Sequence, residues 1–175
     1  MVQADRNVFD LLADVLEYPT TRIAGQAEEC ILALESVSGK AKGHFEAFSI
    51  FCRDVPVNTL EEVYTETFDL QALCSPYVGY HLFGEDHARG MFMVKLKEHY
   101  LKEDYFVNGE LPDHISIMLR YLSVTVRGDE TRDLINLCLI PAVKKMIPLF
   151  KDSGNPYQGV LQATLKALET ERDRS

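Results

Sequence analysis

Residues 58–102 read NTLEEVYTETFDLQALCSPYVGYHLFGEDHARGMFMVKLKEHYLK, and this stretch decides the fold class. Leu60, Val63, Tyr64, Thr67 and Phe68 recur at the three- and four-residue spacing of one helical face. Asn58 stands three residues before Glu61, as in a capping box, so the spacing predicts a helix that starts at Asn58 and delivers Asp69 to a loop. Ser75-Pro76 supplies an N-cap followed by proline at the first helical position, and Gly84 is placed to stop that short helix. A longer helix is expected over Glu85–Lys102, burying Ala88, Phe92, Leu96 and Tyr100.

The same periodicity extends outward. Val8, Phe9, Leu12, Val15 and Leu16 form a stripe ending at Tyr18-Pro19, where proline disfavours further helix. A second helix follows from about Thr21, with Ile23, Ala27, Cys30, Ile31 and Leu34 on one face, and Phe45, Phe48, Ile50 and Phe51 suggest a third. After a polar turn at Asn108-Gly109, Pro112 fits a helix start, with Ile115, Met118, Leu119, Leu122 and Val126 facing inward. A helix from about Glu130 contains Pro141 and Pro148, each of which removes a backbone donor and should kink or break it. Asn155-Pro156 opens the last helix, with Val160, Leu161, Leu165 and Leu168 inward, before a charged tail expected to fray from about residue 170. Period-two alternation is absent, so the expected architecture is an all-α, single-domain bundle of seven to nine helices over residues 1–175.

A chain of 175 residues with 46% apolar and 26% charged residues can bury a sizeable core. Net charge is -9 without a Lys/Arg-rich block, which argues against nucleic-acid binding and permits a basic partner. The N-terminal residues lack the pattern of a secretory signal, and no apolar run approaches the roughly 20 residues that span a bilayer. A cytoplasmic protein without membrane insertion is therefore expected. Cys30, Cys52, Cys74 and Cys138 include no CxxC pair and read as reduced thiols, without a zinc site.

His81, Glu85, Asp86, His87, Asp113 and His114 could be assembled into a hydrolytic metal site, which makes an α-helical metal-dependent hydrolase using His81, His114 and Asp113 the alternative from a different class. The chain has no HExxH motif, no GxSxG elbow around Ser75, and no phosphate-binding glycine loop, so neither catalysis nor nucleotide binding has a sequence warrant. What remains is Tyr64, Phe68, Tyr77, Tyr80 and Phe83 beside Glu66, Asp69, His81 and Glu85. Phe68 and Phe83 are expected in the core and Tyr77 and Tyr80 partly exposed, with Glu85 and Arg89 forming an exposed i,i+4 pair.

The order of these blocks resembles the nitrate reductase delta subunit (NarJ) family, within the wider NarJ/TorD/DmsD group. The resemblance is carried by FDLLADVLEYPT, by Tyr64-Thr65-Glu66-Thr67-Phe68-Asp69, by Tyr77-Val78-Gly79-Tyr80-His81-Leu82-Phe83-Gly84-Glu85, by Arg89-Gly90, by Glu110-Leu111-Pro112-Asp113-His114, and by the late NPY at 155–157. It covers about residues 8–168. ISIMLRYL, after Asp113-His114, departs from the family, which more often has a second proline and a glutamate there.

The resemblance implies a non-enzymatic assembly chaperone that binds the N-terminal segment of a molybdoenzyme's catalytic (large) subunit. The implied client is a respiratory nitrate reductase or, alternatively, a sulfoxide, N-oxide, selenate or chlorate reductase. It implies that no cofactor is held stably, the molybdenum cofactor being handled through the client, and that the chain is a monomer or weak dimer. The residues carried over as peptide-binding are Tyr64, Glu66, Phe68, Asp69, Tyr77, Tyr80, His81, Glu85, Arg89, Glu110, Pro112, Asp113 and His114. Tyr77 and Tyr80 would take apolar anchors of an amphipathic helix, and Glu66, Asp69, Glu85 and Asp113 its basic residues. His81 and His114 would add pH dependence near neutrality.

Overall fold

The structure, a computed structural model, describes residues 6–174. The described residues are helical without a named strand: α1 (Val8–Val15), α2 (Ile23–Val37), α3 (Gly39–Asp54), α4 (Val57–Phe68), α5 (Val78–Phe83), α6 (His87–Lys102) and α7 (Ile115–Val124) come first. There follows an unbroken run of α8 (Asp129–Asp133), a π-helical segment (Leu134–Leu139), α9 (Ile140–Met146) and a 3-10 turn (Ile147–Phe150), and the chain closes with α10 (Tyr157–Arg174). Counting that run once, nine helical units stand among the described residues where seven to nine were expected. No helix among the described residues is long and apolar enough to cross a membrane.

The stripes read from the sequence form the core. Phe9, Leu12 and Val15 of α1, Ala27, Cys30 and Leu34 of α2, Phe45 and Phe48 of α3, and Val160, Leu161 and Leu168 of α10 are all buried. α3 lies between α2 and α10, while α1 packs on α7. The α3–α10 crossing is close because Gly159 has no side chain: a Cβ there would sit 2.2 Å from the His44 carbonyl oxygen. The four cysteines are free thiols, and burial pushes their pKa values up, to about 12 for Cys52 and Cys74.

Several local expectations need correction. α4 begins at Val57 behind Pro56, with no side-chain cap, so the Asn58–Glu61 capping box does not form. α6 begins at His87, because Asp86 accepts the Ala88 N–H at 2.9 Å and takes the N-cap, leaving Glu85 outside and Ala88 exposed. Ile50, Phe83 and Val126 are exposed, the last beyond the end of α7. Pro112 precedes α7 without starting it, since His114 is the N-cap. Pro141 and Pro148 do not break their run. The lost donor at Pro141 is accommodated by the wider π turn immediately before it, and Pro148 sits in the 3-10 turn. The tail expected to fray continues α10 to Arg174, and its last residue lies outside the described ones.

Two glycine substitutions test the packing. Gly159→Ala should cost about 1–3 kcal/mol by overpacking against backbone, lowering Tm by about 2–4 °C per kcal/mol. Gly25→Ala, with nothing within 4 Å of its Cβ in α2, should be neutral or raise stability by about 0.5–1 kcal/mol. Thermal unfolding followed by circular dichroism reads both.

Candidate functional site: an acidic, aromatic recess

Two segments far apart in sequence meet at the site. The Val78 N–H donates to the Asp113 carbonyl at 2.8 Å, and the Ile115 N–H to the Pro76 carbonyl at 2.9 Å, making a single antiparallel bridge between Tyr77 and His114. This bridge clasps the start of α5 to the start of α7. Behind it, Arg89 of α6 donates through Nε to Asp113 Oδ2 at 2.8 Å and through a second nitrogen to Oδ1 at 3.3 Å. Asp113 is fully buried. Gly79 permits the arrangement, since a Cβ at that position would lie 2.6 Å from Asp113 Oδ2.

The Arg89 guanidinium also lies 5.1 Å from the centroid of the Tyr77 ring, a cation–π contact. Tyr77 in turn donates its hydroxyl to Glu110 at 2.9 Å, and the Leu111 N–H donates to the same carboxylate oxygen at 2.8 Å. Burial, then the Glu110 hydrogen bond, pushes the Tyr77 phenol up to about 12, so it remains a donor at any physiological pH. Other buried phenols tie down neighbouring chain: Tyr100 donates to the Pro112 carbonyl at 2.7 Å, and Tyr64 to the Leu16 carbonyl at 3.1 Å.

Together these contacts open a recess of about 420 Å³. Tyr64, Phe68, Pro76, Tyr77 and His114 line it, with Glu17, Asp69 and Glu110 among its polar wall. Tyr64 and Phe68 stand 5.1 Å apart, on an aromatic cluster that continues through Tyr157 to Phe48. Tyr18 is shared with an adjoining shallow groove along α4 that carries Glu61, Glu62 and Glu66. Neither lining contains a lysine or arginine, although Arg120 reaches Glu17 from outside at 2.7 Å.

Of the thirteen candidate residues, Tyr64, Phe68, Asp69, Tyr77, Glu110 and His114 line the recess itself, and Glu66 lines its extension. Arg89, Pro112 and Asp113 stand behind it as support, so the exposed Glu85–Arg89 pair does not form: Arg89 turns inward to Asp113. Asp113, ion-paired and without exposed surface, presents no free carboxylate to a ligand. Tyr80, His81 and Glu85 do not line the recess. His81 Nε2 donates to the Ser75 carbonyl at 2.7 Å. Glu17, Tyr18, Asn108, Glu61 and Glu62 also line the recess or its extension, and the sequence offered none of them as a binding residue. Glu17-Tyr18 had a signal, since they precede the helix-stopping Pro19 and must leave the α1 face.

His114 caps α7. Its Nδ1 accepts the Ser116 N–H at 3.2 Å and lies 2.7 Å from the Ser116 hydroxyl, which assigns the ring proton to Nε2. Burial lowers the pKa of both His114 and His81 below the ordinary 6.5, against the expectation of titration near neutrality. Among the described residues no three His, Cys, Asp or Glu side chains are grouped to hold a metal ion. The three residues of the hydrolase alternative are each turned to other partners: His81 to backbone, His114 to its cap, Asp113 to Arg89.

The described residues thus form an all-helical protein with a buried Asp113–Arg89 pair behind an acidic, aromatic recess. A family model described as the nitrate reductase delta subunit matches residues 34–146, well over half the chain, and the chain belongs to that family. It is 28% identical over 138 residues to the Escherichia coli (strain K12) nitrate reductase molybdenum cofactor assembly chaperone NarJ, an alignment covering 76% of this chain and 58% of that protein. The chain therefore spans under two thirds of that relative's length. A Bacillus subtilis protein described as a NarJ assembly chaperone is 24% identical, over 97% of this chain and 92% of its own. The crystal structure of an Archaeoglobus fulgidus protein described as a redox enzyme maturation protein shares the fold, with a TM-score of 0.65 at 22% identity over 92% of this chain and 91% of its own.

Two predictions follow from the clasp and the cap. Asp113→Asn should destabilise the protein by about 3 kcal/mol, near the lower end for breaking a buried pair because Arg89 keeps some solvent contact. The double variant with Arg89→Met should lose less than the sum of the singles, as urea unfolding would show. For His114, the folded chain binds the proton less readily than the unfolded chain. Its stabilising contribution is therefore complete above pH 6.5 and lost as pH falls through the lowered folded value. His114→Asn, which can cap α7 without titrating, should flatten that part of the decline in urea stability between pH 6.5 and 5.

Proposed function

We propose that this chain is a non-enzymatic assembly chaperone that grips the N-terminal segment of a molybdoenzyme catalytic subunit in the acidic recess. The relatives named above are described as nitrate reductase chaperones, and this makes the nitrate reductase catalytic subunit the leading client. The observation that carries the reading is the joining of an aromatic floor to six carboxylates, Glu17, Asp69 and Glu110 in the recess and Glu61, Glu62 and Glu66 in its extension, with no lysine or arginine in either lining. Such a surface suits a peptide with apolar anchors and basic flanks. Tyr77, Tyr64 and Phe68 take the anchors, while the exposed Glu66 and Asp69 meet the basic residues.

The molybdenum cofactor, an anionic phosphate-bearing group, fits poorly in a cleft lined by carboxylates, and in this reading it reaches the client by another route. The chaperone keeps the client receptive by binding its immature form in preference to the finished one, since a ligand shifts an equilibrium only by its differential affinity for the two states.

The test is calorimetric titration of the full chain with a synthetic peptide copying the N-terminus of the nitrate reductase catalytic subunit, beside capture of the whole subunit. Reversing Glu66 and Asp69 to lysine together should weaken binding about tenfold, mainly through the association rate and less so in high salt. Tyr77→Ala should weaken it by about 30-fold, as expected of a central aromatic anchor. Undiminished capture by both variants would overturn the reading.

A further inference from the structure

A second hollow, of about 370 Å³, shares no lining residue with the recess and lies between α6 and the run that begins with α8. Its two ridges run in opposite directions. At one end His99 of α6 meets Glu130 of α8 at 3.0 Å, and Lys102 reaches the same carboxylate at 3.3 Å, so the ridges are clamped there. Beyond the clamp they separate over a floor of Phe92 and Leu96 on one side and Leu134 and Cys138 on the other. The span from residue 92 to 99 is about 10 Å, two helical turns.

Two features of the walls are unmatched within the chain. Lys95 and Asp133 stand on opposite walls, and among the described residues neither forms an ion pair. Leu137, carried on the π-helical segment, is 66% exposed although it borders an apolar hollow. A protruding apolar side chain therefore sits next to a cavity of matching chemistry on one face, a self-complementary arrangement of the kind a two-fold interface uses.

We propose that this hollow is the contact face of a two-fold symmetric dimer of the chain, in which Leu137 of each copy enters the hollow of the other and Asp133 meets the other copy's Lys95. The geometry is self-consistent. Because α6 and the π-helical segment run antiparallel, a second copy whose π segment lies antiparallel to the first is parallel to α6. As its Leu137 seats at the level of Leu96 and Leu134, its Asp133 comes within a turn of Lys95. Both charges on each copy are then matched by symmetry, which an unrelated apolar helix would do only by carrying the same reversed pair. The face is small, below the standard interface size, so the dimer is weak, with a Kd on the order of 10 µM.

Sedimentation velocity of the full chain over a concentration series tests this. The native chain should show a monomer–dimer equilibrium. Leu137→Asp, at an exposed position that leaves the helical circular dichroism unchanged, should raise Kd by about 30-fold or more. Lys95→Glu and Asp133→Lys should each be monomeric alone and dimerise when mixed in equal amounts, since the mixture restores both cross-copy ion pairs. A native chain that stays monomeric to about 1 mM, a dimer indifferent to Leu137→Asp, or a charge-swapped mixture that fails to associate would each overturn the proposal. Peptide capture by the recess should be unchanged in Leu137→Asp, which keeps the two surfaces separable.

Discussion

The ion pair between Arg89 and the fully buried Asp113 is the constraint on which the rest of the site depends. A carboxylate removed from water is strongly unfavourable unless a counter-charge and hydrogen bonds accompany it. Both of its oxygens are engaged by the guanidinium, and its own backbone carbonyl accepts from Val78. Three elements meet at one side chain: α5 through the bridge and Gly79, α6 through Arg89, and the loop before α7 through Asp113 itself. A shift in how α5 lies on α6 would strand the carboxylate, which disfavours competing arrangements around the clasp.

The candidate surface follows from that clasp. Arg89 faces the Tyr77 ring, and Tyr77 holds Glu110, so the buried pair sets the position of two groups at the mouth of the recess. The half-buried arginine puts its charge behind the phenol and not in the cleft, which leaves the cleft negative. Burial keeps Tyr77 protonated and both histidines neutral near pH 7. Neither Tyr77 nor His114 therefore changes the charge of the recess near pH 7, and protonation of His114 on acidification makes it less negative.

The helical stripes were legible because their period is local. Leu12, Phe48, Leu60, Met118 and Leu161 face inward as spacing alone requires. Boundaries were less legible where two residues competed for one cap. Asp86 displaced Glu85 at the start of α6, and His114 displaced Pro112 at α7, because the better-placed acceptor reaches the second N–H of the helix. The proline run is illegible for a different reason: a π turn can absorb a missing donor, and nothing in the pattern LINLCLIP advertises it. Of the candidate site, the aromatic and acidic residues of α4 and the Glu110–His114 segment were found through motifs, but their division into surface and support was not. Arg89 lies four residues from Glu85 in sequence and bonds to a residue 24 positions away. Only tertiary contact decides between those partners.

In the proposed peptide complex two kinds of group would share recognition. The carboxylates are mostly exposed and screened at physiological salt, so they would steer a cationic segment into the groove and contribute modestly to holding it. Tyr64 and Phe68 are buried and packed on Tyr157, and Tyr77 is held at its face by Arg89 and at its hydroxyl by Glu110. These rings need little ordering when a ligand arrives, so contact with them is not offset by much lost side-chain freedom. In that proposed complex, charge-guided arrival on a preorganised apolar floor would give capture that is selective yet reversible.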